Sequence, residues 1–276
     1  MSGARRPVSA RTALCGILLH PAGHTRSPAM HGAAYAALGF DAVYLAFDVP
    51  PAGLEGALRG ARALGVRQLA ISLPHKQAVM AHVDEVEETA RRIGAVNTVT
   101  RAGDALVGSN TDWLGAVRAL ESELPLGGAR AVVLGAGGTA RAVVFGLLER
   151  GARVRVLNRS PERARRLADE LGAETAGALG DLARTPYDLL VNTTSVGLRE
   201  DASPVDAAAL RAEAVVMDAV YDPERTRLLR EAEARGARAV SGRWMLIHQA
   251  AEQVRLLTGR EAPLSALIEG FESGSG

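Results

Sequence analysis

Cysteine is almost absent. Cys15 stands alone in a chain of 276 residues, so no intrachain disulfide can form and no cysteine cluster is available to bind a metal. A lone thiol suits a reducing compartment, and the expected location is the cytoplasm. Long apolar runs are also missing. Nothing approaches the roughly eighteen residues that a membrane-spanning helix needs. Near the N-terminus only about six apolar positions precede His20, too few and too strand-like for a signal peptide. Net charge is small, a formal +1, which argues against a nucleic-acid or membrane surface as partner. What remains, 47% hydrophobic and 23% charged residues, is the composition of a globular enzyme with room for two domains.

The scarcity of lysine is the most informative absence. Of 32 basic residues, 31 are arginine and Lys76 is the only lysine. A solvated surface accepts either cation, so a single lysine is either a chance survivor of an arginine bias or a residue whose work arginine cannot do. Arginine keeps its proton at any useful pH, whereas an amine can release and regain one. Lys76 is therefore the first catalytic candidate.

Along the chain, short apolar runs alternate with helical stretches. Strands are expected at 13–19, 42–47, 68–73 and 97–101, with helices at 28–38, 53–64 and 77–92. A second unit is expected from Asp112, with a helix at 113–120, strands at 129–134, 153–157, 189–192 and 215–219, and helices at 140–149 and 161–171. A last helix is expected at 245–257, and the ending at 272–276 reads as a disordered tail. Alternating strands and helices imply α/β architecture with mostly parallel sheets.

Chemistry is concentrated in the second unit at Gly135-Ala136-Gly137-Gly138-Thr139-Ala140, between an apolar strand and a helix. Glycines there let the backbone approach a pyrophosphate, and the helix start supplies free N–H groups and a positive dipole end. Glycine-rich turns also occur for steric reasons alone, but the flanking strand and helix favour a Rossmann-type dinucleotide site. An NAD site would place a carboxylate about twenty residues on, at the tip of the next strand. Here the sequence reads Asn158-Arg159-Ser160, with Arg163 following. Guanidiniums and small polar groups suit a 2′-phosphate, so the expected cofactor is NADP. The alternative for Arg163 is an ordinary surface position on a helix.

The ordered set of motifs resembles the shikimate dehydrogenase family over nearly the whole chain. The matching segments are Thr25-Arg26-Ser27-Pro28, Ser72-Leu73-Pro74-His75-Lys76, Ala95-Val96-Asn97-Thr98, Ser109-Asn110-Thr111-Asp112, the glycine turn with Asn158-Arg159, Asn192-Thr193-Thr194-Ser195, Asp218-Ala219-Val220-Tyr221, and Met245-Leu246 followed by Gln249. The resemblance implies a substrate-binding domain of residues 1–111 plus 242–276 and an NADP-binding, doubly wound Rossmann-type domain of residues 112–241, with an active site in the cleft.

It also implies roles. Lys76 and Asp112 would contact the reacting hydroxyl, with Lys76 as proton carrier; a structural salt bridge is the alternative for that pair. Thr25, Ser27 and Tyr221 would hold a substrate carboxylate, although Thr25 and Ser27 equally suit a helix N-cap before Pro28. Ser72, Asn97 and Gln249 would bind ring hydroxyls. Thr193, Val220 and Gly242 would join the glycine turn in binding the cofactor, Gly242 by letting the chain pass close to the nicotinamide. The six histidines form no recognisable metal set, and His75 is the one expected nearest the site. The implied partner is a hydroxylated ring carboxylic acid, bound by a monomer or homodimer.

Four positions depart from the family pattern. Ala70 stands where the family has Asn, Thr25 replaces the first serine of its loop, Leu19-His20-Pro21 replaces Gly-x-Pro, and Gly242-Arg243-Trp244 replaces Gly-Leu-Gly. Ala70 removes a donor and an acceptor from the pocket, and such a loss can change substrate preference. The expected activity is NADP-dependent reversible reduction of 3-dehydroshikimate to shikimate. The alternatives are a dehydrogenase for quinate or another hydroaromatic acid, and a ligand-sensing module that has lost turnover.

Overall fold

The structure is a computed structural model that describes residues 7–23 and 25–274. The chain divides into two compact units, Met1–Thr111 with Ile247–Gly276, and Asp112–Leu246.

The first unit contains β1 (Ala13–Leu19), α1 (Ser27–Leu38), β2 (Ala42–Asp48), α2 (Leu54–Ala63), β3 (Gln68–Ile71), β4 (Glu85–Val86), α3 (Glu88–Ile93), β5 (Thr98–Ala102) and β6 (Ala105–Ser109). Its six strands are ordered β2-β1-β3-β5-β6-β4. Only β5 runs against its neighbours, pairing antiparallel with β3 and β6. Leu18, Leu69, Ile71, Val79, Val96 and Val99 fill the core on one side, beneath Leu54 and Leu58 of α2. Burying such side chains is worth about 1.5–3 kcal/mol each and is what holds the sheet and helix together.

The second unit contains α4 (Asp112–Glu121), β7 (Arg130–Leu134), α5 (Gly138–Glu149), β8 (Arg153–Asn158), α6 (Pro161–Leu171), β9 (Thr175–Ala178), β10 (Leu189–Asn192), β11 (Val215–Asp218), α7 (Arg227–Ala234) and β12 (Arg238–Ser241). Its sheet is fully parallel in the order β12-β11-β10-β7-β8-β9. Two apolar layers cover its faces, one including Val133, Val143, Val144 and Leu147, the other Leu134, Leu157, Leu190 and Val216. Burial on both faces explains why β7 and β10 read as continuous apolar runs rather than alternating ones. Order and direction are those of a doubly wound dinucleotide-binding sheet. The helix α8 (Gly242–Thr258) begins in this unit and ends in the first, where α9 (Leu264–Ser273) follows.

Three expectations are corrected. The helix expected at 77–92 is replaced by a 3-10 turn over Ala78–His82, the short strand β4, and α3. Asp84 directs the change: its carboxylate accepts from the Leu106 N–H at 2.6 Å and from Arg62 at 2.6 Å, pulling the segment onto β6. Second, α8 starts at Gly242, ahead of the expected Met245. Third, the expected tail is helical through Ser273 as part of α9; residues 275–276 of it lie outside the described residues.

Candidate active site

In the first unit the candidate residues gather at strand ends. Lys76 lies in the turn after β3, half-buried, and its carbonyl accepts from the Val96 N–H at 2.8 Å. The same turn holds Ser72, whose N–H donates to Leu18 O at 2.9 Å, and contains the cis Leu73–Pro74 bond. His75, expected nearest the chemistry, is buried, with Nε2 2.7 Å from the Val49 carbonyl. That contact is to the backbone and braces the turn that carries Lys76.

Asn97 is the hub of a buried polar cluster. Its Nδ2 donates to Thr111 Oγ1 at 3.0 Å and to Gln249 Oε1 at 3.4 Å, and its Oδ1 accepts from the Thr111 N–H at 2.7 Å and the Thr98 hydroxyl at 2.9 Å. Gln253, one turn beyond Gln249 on α8, donates to Thr98 Oγ1 at 2.9 Å. Thus two candidates 152 residues apart in sequence share one network. Sequence reasoning missed Gln253; its signal was the i, i+4 spacing from Gln249, which places both on one helix face.

Thr25 and Ser27 stand together at the start of α1. The Thr25 hydroxyl accepts from the Ser27 N–H at 3.3 Å, which leaves its O–H to donate elsewhere; the N-cap of α1 is Arg26 with no side-chain cap bond, so neither Thr25 nor Ser27 is the N-cap that the sequence suited them for. Ser27 is buried, and its carbonyl accepts from His31 Nδ1 at 2.9 Å. Burial pushes His31 down to about 4, so the ring is neutral near neutral pH. With a carbonyl as partner, Nδ1 must carry the proton.

In the second unit the glycine turn joins β7 to α5. Gly135 has φ +114°, and an added Cβ would lie 2.6 Å from Thr193 Oγ1, so only glycine fits. A Cβ at Gly137 would meet nothing within 4 Å, which shows open space in front of the turn. Gly137 also caps α5 without a side-chain bond. The helix therefore opens at Gly138, Thr139 and Ala140 with no side-chain bond at its N-cap, and a helix start is where backbone N–H groups point outward. Thr193 is held by its hydroxyl, which donates to Leu134 O at 2.6 Å. Open space, a glycine-only backbone and an uncapped helix start fit a pyrophosphate.

At the tip of β8, Asn158 Nδ2 donates to Ser160 O at 3.1 Å, and Arg159 and Arg163 are exposed. Residues 158–160 carry no carboxylate; the next one along the chain is Glu162, in the first turn of α6. Ser160 is engaged locally, its hydroxyl donating to Glu162 Oε2 at 3.0 Å, a partner the sequence did not single out. These donors fit a 2′-phosphate.

The segment after β11 is organised by Asp218. Its Oδ1 accepts from Asn192 Nδ2 at 2.9 Å and from the Val220 N–H at 3.0 Å, and its Oδ2 accepts from the Thr226 hydroxyl at 2.7 Å. Burial nevertheless raises its carboxyl to about 6. Val220 and Tyr221 therefore sit on a tethered segment. Gly242, at the start of α8, approaches it closely: an added Cβ would lie 2.6 Å from Asp218 O. Asp112 is buried in the first turn of α4. Among the described residues no group of His, Cys, Asp and Glu is placed to hold a metal ion, and no helix is long and apolar enough to cross a membrane.

Family models match three parts of the chain: a shikimate dehydrogenase substrate binding domain at residues 17–99, a shikimate / quinate 5-dehydrogenase domain at 118–196, and a shikimate 5′-dehydrogenase C-terminal domain at 242–269. The NADP(+) shikimate dehydrogenase of Thermococcus kodakarensis is 47% identical, covering 91% of this chain and 92% of its own. The crystal structure of the Thermus thermophilus enzyme in complex with NADP(H) and shikimate superposes with a TM-score of 0.89 at 42% identity, covering 95% of this chain and 100% of that one. A quinate dehydrogenase from Corynebacterium glutamicum, solved with NAD, superposes at 0.86 with 35% identity, covering 95% and 99%. With matches of this extent across both units, the chain belongs to the shikimate dehydrogenase family.

Proposed function

We propose that this protein is an NADP-dependent shikimate dehydrogenase that interconverts 3-dehydroshikimate and shikimate. The observation that carries the reading is the buried Asn97–Thr111–Gln249 cluster, polar side chains ordered by one another at a place where an apolar core would be more stable. Such pre-ordered donors and acceptors suit a ligand rich in hydroxyls and poor in apolar surface. NADP supplies or accepts the hydride.

The protein's own residues do the rest. Lys76 exchanges the proton of the reacting hydroxyl, a step open to an amine and closed to a guanidinium. Asp112 orients that hydroxyl. Asn97 and Gln249, with Ser72, hold the remaining ring hydroxyls. Thr25, Ser27 and Tyr221 hold the carboxylate. Gly135 to Ala140, with Thr193, seat the pyrophosphate; Asn158, Arg159, Ser160 and Arg163 hold the 2′-phosphate; Val220 and Gly242 bound the nicotinamide. We assign residues 1–111 with 242–276 to substrate binding and 112–241 to cofactor binding.

NADP is favoured over NAD because residues 158–160 at the tip of β8 offer Arg159 and no carboxylate, and the exposed Arg163 follows on α6. Shikimate is favoured over quinate by the agreement with relatives that carry the NADP-dependent shikimate name. Product analysis tests the reading: incubation with shikimate and NADP should yield 3-dehydroshikimate and NADPH in equal amounts. NADPH formed only with quinate would contradict it.

A further inference from the structure

The segment from Val220 to Thr226 carries two of the proposed ligand contacts, Val220 and Tyr221. Both its ends are fixed by Asp218, which accepts from the Val220 N–H and the Thr226 hydroxyl as well as from Asn192. Its middle is held by a different device. Glu224 pairs with Arg243, in the first turn of α8, at 2.9 Å. The arginine side chain is 17% exposed and the glutamate 39%. The Arg243 guanidinium also lies over the Trp244 ring, 4.9 Å from its centroid, and the Arg243 N–H donates to Ser241 Oγ at 3.3 Å. Between the two anchors, Gly242 runs so close to Asp218 and Ala219 that an added Cβ would lie 2.6–2.7 Å from their backbone.

We propose that the Arg243–Glu224 pair is a positioning device that locks the 219–224 segment to the start of α8 and so sets where Tyr221 and Val220 meet substrate and nicotinamide. The inference rests on the functional reading above. Neither residue contacts the reacting atoms; both act through the segment they hold. A part-exposed ion pair adds little to fold stability, because two long side chains must be ordered to form it. Here the stack on Trp244 orders the guanidinium in advance, and its planar fork suits a carboxylate. Hydride transfer depends on placement to a fraction of an ångström, so a pair of small stabilising value can still carry a large share of the rate.

The test is a double-mutant cycle of Arg243→Met, Glu224→Ala and both together. Turnover of shikimate with NADP, NADPH affinity by fluorescence titration, and Tm are measured for each. Each single variant should lower kcat/KM by about five- to twenty-fold, mainly through kcat, and the double variant should match the worse single variant within about twofold, as expected when one interaction is removed twice. NADPH affinity should stay within about twofold, because the pyrophosphate and 2′-phosphate are held elsewhere. Single variants indistinguishable from the wild type, losses that multiply in the double variant, or losses that track a falling Tm would each overturn the inference. A wild type inactive on shikimate would remove the functional reading and this inference with it. An active wild type with unaffected variants removes the inference alone.

Discussion

Asn192 Nδ2 donates to Asp218 Oδ1 at 2.9 Å, joining the ends of two adjacent parallel strands, β10 and β11, through a buried carboxylate. The bond ties the end of β10, next to Thr193, to the segment bearing Val220 and Tyr221. Its partner bonds, from Val220 and Thr226, lower the carboxyl pKa, but desolvation is stronger and leaves it at about 6 against an ordinary 3.8.

That shift fixes a pH dependence. A folded pKa above the unfolded one means protonation favours folding: the contribution is fully present below 3.8 and is lost as pH rises through about 6. Asp218→Asn is neutral throughout, so it should gain stability on the wild type across that window, by at most about 3 kcal/mol. Melting both proteins from about pH 4 to about pH 8 checks this; a constant Tm difference would contradict the assignment.

Lys76→Ala should lower kcat by about 10²–10⁴-fold, the usual worth of a positioned proton carrier, with NADPH affinity nearly intact. Lys76→Arg should fail to restore turnover, because charge without exchange is insufficient. Substantial activity in either variant would show that the proton travels by another route.

Arg159→Ala should weaken NADPH by about 10–100-fold, the loss expected for a charge-assisted bond to phosphate, and leave NADH almost unchanged. Dissociation constants for the two cofactors decide it. Equal losses would mean that the 2′-phosphate is not held at Arg159.

Asn97→Ala leaves Thr111 and Gln249 without their shared partner. It should cost about 1–3 kcal/mol of stability and raise KM for shikimate more than it lowers kcat. Thermal melts and steady-state kinetics separate the two effects. An unchanged KM would place the cluster outside the substrate's reach.

Much of the architecture was legible because it rests on local signals. Ala131–Leu134, Gly135–Gly138 and the following apolar helix announce strand, turn and helix in order, and Pro28 and Pro161 mark helix starts. What failed depended on distant partners. Residues 77–92 contain no glycine or proline and suit a helix by propensity. Pairing of Glu85 and Val86 with Val107 and Gly108 overrides that preference. The site divides in the same way. Lys76 and the glycine turn stood out by residue type, whereas Asp218 appeared only as the first residue of a matching segment, with no role of its own. Its importance appears only when Asn192 and Thr226 converge on it, and the sequence signal was slight: a threonine at the N-cap of α7, whose hydroxyl accepts from Leu229 N–H at 3.4 Å.

The most direct test of the account is the initial rate of NADP reduction by the wild-type protein with shikimate, set beside quinate and beside NAD. The account predicts a kcat/KM highest by far for shikimate with NADP. Comparable rates with quinate, or a preference for NAD, would contradict it and would mean that Ala70, Thr25 and the tip of β8 serve a different ring acid or cofactor.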